Sequence, residues 1–150
     1  MERLIGSSDS YKIIREAWDV FTRTDNNGNS LYEYKRGGDG RDIDGDCKFE
    51  IDCSQMVVET LKRLGYNLPD DYWSGNLNDP RWANRYFGEV ADLSDIRPGD
   101  LILFGKDRHV GIVENIWFDE NLNKYVGSFF HMEEYANRPI SSPFICDAYS

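Results

Sequence analysis

Residues Phe49 to Val57 read FEIDCSQMV, and Cys53 sits there directly behind an aspartate, where a strand-like run gives way to helical spacing. Aspartate is a favoured N-cap residue, so Cys53 falls in the first turn of the helix that follows. In that turn the unpaired backbone N–H groups and the positive end of the helix dipole favour a thiolate. The N–H groups of Cys53 and Ser54 are also placed to hold the oxyanion of a tetrahedral intermediate. Taken alone, Cys53 reads better as a small apolar residue opening the stripe of Met56, Val57, Leu61 and Leu64. A nucleophile needs a base beside it and a group to orient that base.

His109 is the candidate base. It opens a strand-like run just after the polar turn GKDR, at a sheet edge open to solvent and substrate. In period-two order His109, Gly111 and Val113 share one face, and Val110, Ile112 and Ile116 the other. Gly111 leaves space beside the ring. If the Cys53 helix packs across the His109 face, thiol and imidazole meet as an ion pair, and the histidine later protonates the leaving amine. Taken alone, a histidine at a strand start is more often a surface residue. The third, orienting role is open between His131 and Ser128, on opposite faces of YVGSFFHM, and a backbone carbonyl. Glu133 and Glu114 are further candidates that read more simply as solvated surface charges.

Positioning these groups takes two helices followed by consecutive strands. Ile13, Ile14, Ala17, Trp18 and Phe21 mark a helix from Ser10 to about Arg23, capped by Ser10 or Asp9. The turn cluster TDNNGNS and a long, acidic, mobile loop through Asp46 lead to the second helix, which Gly65 ends. Residues 66–95 read as irregular, with a short helix near Trp82 to Phe87. Three strands follow in IRPGDLILFG, HVGIVENIWF and KYVGSFFHM, and the tail from Pro139 is loop or a short final strand. The order predicts one α+β domain over residues 1–150, with an antiparallel sheet.

The composition is 40% hydrophobic and 14% aromatic, which is globular, with 17 basic and 27 acidic residues and a formal charge of −10. Such a surface repels nucleic acid and anionic membranes, so neither is an expected partner. No run of 18 apolar residues spans a membrane. The N-terminal residues lack the apolar core of a Sec signal, so synthesis in the cytosol is expected. No metal or cofactor is expected either: there is no CxxC, and there are only two histidines. Aspartates at 42, 44 and 46 alternate as in a calcium loop, but the glycine and glutamate positions of an EF-hand are missing, so the stretch reads as solvated. Cys47 and Cys146 read as structural residues, able to pair in an oxidising compartment.

Together, YKRGG, IDCSQMV, IRPGDLILF and HVGIVENI resemble, in order, the motifs Y-x-x-G-G, D-C-S-G-[FLV], P-G-D-L-[VI]-F-F and H-V-[GA]-I of the NlpC-like cell-wall peptidases, across residues 34 to 131. The resemblance implies a papain-like fold, with the nucleophile at the start of a helix packed on an antiparallel sheet. It implies Cys53 as nucleophile, His109 as general base, and Tyr34 lining the site, with Ser54 and Gln55 beside the substrate. His131 fits the family's third polar residue, although it lies 22 residues beyond His109, which requires a longer hairpin than usual. Gln55 stands where the family has glycine, and the acidic insertion before Cys53 is expected to build a wall of the cleft. The implied reaction cuts the bond between D-γ-glutamate and diaminopimelate or lysine in peptidoglycan stem peptides. Delivery to the periplasm or wall is then expected, as a secreted antibacterial effector with an immunity protein or as a phage lytic enzyme. A papain-like acyltransferase and an inactive binding domain are the alternatives.

Overall fold

A computed structural model describes residues 2–4, 10–38, 40–66, 87–90, 92–104 and 109–147. The stripe of Ile13, Ile14, Ala17 and Phe21 forms α1 (Tyr11–Phe21) and buries that face completely. Ser10 precedes the helix, but its side chain makes no cap; its hydroxyl donates to the Pro98 carbonyl at 2.8 Å. The second helix, α2 (Cys53–Arg63), starts and stops where the sequence places it. Asp52 caps its first turn by accepting from the Gln55 N–H at 2.8 Å. At the other end Gly65 takes φ +91°, and the N–H groups of Gly65 and Tyr66 close on the carbonyls of Lys62 and Leu61. That pattern is a Schellman stop, which the missing Cβ of glycine permits.

The helices lie on a six-stranded sheet whose neighbours all pair antiparallel. Its strands are β1 (Glu2–Leu4), β4 (Phe87–Glu89), β5 (Leu101–Phe104), β6 (His109–Asp119), β7 (Lys124–Glu133) and β8 (Arg138–Asp147), in the order β4-β1-β5-β6-β7-β8. A separate parallel pair joins β2 (Tyr32–Tyr34) to β3 (Phe49–Ile51). The architecture is the α+β, papain-like arrangement expected.

Several elements depart from the sequence reading. β2 lies inside the stretch read as loop, and β1 and β4 were not anticipated. The helix placed near Trp82 to Phe87 falls outside the described residues up to 86, and Phe87 opens a strand. The tail is no short strand: β8 pairs with β7 over ten residues, with Pro139 opposite Met132 and Pro143 opposite Ser128. Sequence patterning saw polar residues and prolines there, whereas the long register with β7 is what orders it.

Two cores flank the sheet. Val110, Ile112, Phe130 and Met132 pack with both helices, while Ile102, Val113, Phe129 and Phe144 form a second cluster on the opposite face. A register irregularity between Val113 and Asn115 shifts the parity of β6, so Ile116 joins Val113 rather than Ile112. Strict alternation fails at such a bulge. Gly127 is needed opposite it, since a Cβ there would come within 2.1 Å of the Asn115 carbonyl oxygen. Gly99, at φ +93°, turns the Pro-Gly-Asp corner into β5 and lies so close to Ser10 that no side chain fits.

Candidate active site

The first turn of α2 is tied down by a single carboxylate. Asp52 accepts from the Gln55 N–H, from the Ser54 hydroxyl at 3.0 Å and, through its other oxygen, from the Gly37 N–H at 3.0 Å. This explains the paired glycines of YKRGG. Gly37 turns at φ +80° to present its N–H, and a Cβ on Gly38 would meet the backbone of Glu50 at 2.7 Å. The loop after Tyr34 is thereby clamped between β3 and the helix start. Tyr34 itself is half-buried, and its N–H donates to Asn137 Oδ1 at 2.7 Å, in the β7–β8 turn. Burial, then the charges of Cys53 and Asp52, push its phenol up to about 12, so it keeps its proton.

Cys53 is only 5% exposed, and its sulfur takes the backbone N–H of Val110. The β6–β7 ladder runs from the hairpin turn as far as Ile112 opposite Phe130, and its register extends no further toward His109. The condition set for the His109 face is not met: α2 covers the Val110 and Ile112 face, and the Cys53 sulfur meets β6 at the Val110 N–H.

The histidines lie on the other face, stacked near Phe104 and Phe129. His109 Nε2 is 2.6 Å from His131 Nδ1, and His131 Nε2 is 2.8 Å from Ser142 Oγ on β8. Gly111 makes the pairing possible, because a Cβ there would come within 2.5 Å of the Phe129 ring and 3.3 Å of His131 Cβ. The space expected beside His109 exists, and its neighbours fill it. The 22-residue gap between the histidines is spanned by the long β6–β7 hairpin.

The other candidates for the third role point elsewhere. Ser128 donates to Asn115 Oδ1 at 3.1 Å. Glu114 is buried rather than solvated, and its carboxylate accepts from the Trp18 indole and the Ser141 hydroxyl, both at 2.9 Å. Glu133 accepts the N–H groups of Tyr135 and Ala136 in the turn, near enough for its charge to act on both histidines. Ser142 was not foreseen, since the tail carried no strand periodicity. Ser54 is buried beneath Asp52, while Gln55 is partly exposed beside it. Neither Cys47 nor Cys146 is in a disulfide, and Cys47 is exposed, at φ +66°, so it fills no core.

Electrostatically the resting site is neutral. Burial pushes the Cys53 thiol up, against the pull of the N–H groups of Val110, Ser54 and Cys53. Burial lowers His109, and burial together with His109 lowers His131 to about 4. Among the described residues no hydrogen bond joins the thiol to the imidazole. Burial at both groups thus works against the ion pair that the helix dipole favours.

A helix-start cysteine opposite a histidine pair on an antiparallel sheet defines the papain-like class of fold. The NlpC/P60 family model matches residues 32–142, and the chain belongs to that family of cell-wall cysteine peptidases and amidases. Searches of curated proteins and of solved structures find no match to this chain.

Proposed function

We propose that the protein is a cysteine peptidase or amidase that hydrolyses peptidoglycan stem peptides, at the bond following D-γ-glutamate. The observation that carries this reading is the continuous chain from Ser142 through His131 to His109, on the sheet against which the helix that Cys53 opens is packed. With Nε2 of His109 engaged by His131, Nδ1 is the nitrogen left to take the thiol proton. One tautomer set serves this: His109 Nε2–H donates to His131 Nδ1, and His131 Nε2–H donates to Ser142 Oγ.

The thiol proton passes to His109 as the Cys53 sulfur attacks the scissile carbonyl carbon. The N–H groups at the helix start receive the oxyanion, and Tyr34, kept as a phenol, stands beside it as a donor. Collapse breaks the C–N bond, and His109 returns the proton to the leaving amine. Water then attacks the thioester through the same histidine and regenerates the thiol. His131 and Ser142 act as positioning residues. The substrate places the protein at the cell wall, as an antibacterial effector with an immunity protein in the producing cell or as a phage lytic enzyme.

The test is digestion of purified sacculi with mass analysis of the released fragments. The parent is expected to release fragments ending in D-γ-glutamate, and Cys53→Ala to release none. Equal release by both would remove Cys53 from the reaction.

A further inference from the structure

We propose that Glu33, Asp44, Asp46 and Glu50 form a Ca²⁺ site that fastens the loop over residues 40–48 to the β2–β3 pair. One oxygen from each of the four carboxylates lies within 4.8 Å of all the others. Oxygens at roughly 2.3–2.6 Å from Ca²⁺ stand about 5 Å apart across the ion, which this spread accommodates; Mg²⁺, at about 2.1 Å, needs a tighter set. An EF-hand reading of the loop failed because its twelve positions are incomplete. Here the loop gives Asp44 and Asp46, and the strands on either side give the rest.

A second observation singles out Glu50. The residue is 2% exposed, one of its oxygens accepts the Ile43 N–H at 2.6 Å, and Oε1 is buried with no hydrogen-bond partner. Its carboxyl group lies against those of Glu33 and Asp44. A buried carboxylate oxygen without a donor is costly. The strand register adds to that cost, since Glu33 stands directly opposite Glu50 and like charges so placed repel. Lys48 offsets some of the charge on Asp46. The remaining carboxylate contacts are already organised by backbone donors, Asp46 N–H to Asp44 and Lys48 N–H to Asp46.

The position gives the site a purpose. Glu33 adjoins Tyr34, and Glu50 is two residues before Asp52, so an ion here braces the strands that deliver the helix start.

The full chain, stripped with EDTA, is titrated calorimetrically with CaCl₂ and with MgCl₂, and its melting is followed in parallel. One Ca²⁺ per chain is expected, with a rise in melting temperature of about 5–10 °C at a hundredfold excess over Kd. Mg²⁺ is expected to bind more weakly. The Asp44→Asn/Asp46→Asn chain, altered at two exposed positions, is expected to lose both effects by roughly tenfold or more in affinity. Absence of binding heat and of any melting shift with Ca²⁺ overturns the site, as does an undiminished shift in the double variant. Tighter binding of Mg²⁺ overturns the choice of ion. Cys53→Ala is expected to bind Ca²⁺ like the parent, so this result stands apart from the peptidase reading.

Discussion

The two walls of the candidate site are built from different materials. The histidine wall rests on long antiparallel ladders, with His109, His131 and Ser142 on three adjacent strands of one sheet. The cysteine wall rests on two three-residue strands, a pair of glycines and one aspartate that answers three donors. Packing and register hold the base, while a few polar ties hold the nucleophile. Each wall therefore fails in its own way.

On the histidine wall, His109→Ala is expected to cut the rate of fragment release by roughly 10²–10⁴-fold with little change in melting. A rate within a few-fold of the parent would show that the wall is scaffold only. On the cysteine wall, Gly38→Ala forces a methyl group into the Glu50 backbone, and a stability loss of about 1–3 kcal/mol in urea unfolding is expected. Activity should fall with it; a normally stable, active variant would mean that β2 and β3 tolerate separation. His131→Asn is expected to lower kcat by roughly 10–100-fold while KM holds, as for other partners that orient an imidazole. An equal rise in KM would instead place His131 against the substrate.

The smallest effect is on pH dependence. His131 is held at about 4 against an ordinary 6.5. The unfolded chain therefore takes a proton that the folded chain refuses, and stability falls as the pH drops from about 6.5 to about 4. Urea midpoints measured across that range should decline in the parent and flatten in His131→Asn. The same slope in both would locate the sensitivity outside His131.

Much of this was legible in the sequence because the signals were local. Asp52 before Cys53, Gly65 after Leu64 and the Pro-Gly-Asp corner each act within a few residues, and each took its expected form. What was missed was non-local. The bulge that moves Ile116 to the other face depends on how Gly127 meets Asn115, and Ser142 gains its place only through the β7–β8 register. The face occupied by α2 stayed open for the same reason. Period two separates His109 from Val110, but it cannot say which face the helix will choose. The burial that neutralises Cys53 is likewise a property of assembled layers rather than of the helix start.

The outer strand has a bearing on how molecules of this protein meet one another. β8 ends the sheet among the described residues, and such a border normally offers a row of free donors and acceptors to any passing chain. Pro139 and Pro143 are an even number of positions apart, so both lack an N–H on the same side of the strand. An edge strand tolerates proline where the missing N–H faces away from the neighbour, and β8 keeps its ten register pairs with β7 through both prolines. Two prolines in one border strand work against its use as a template for a further strand.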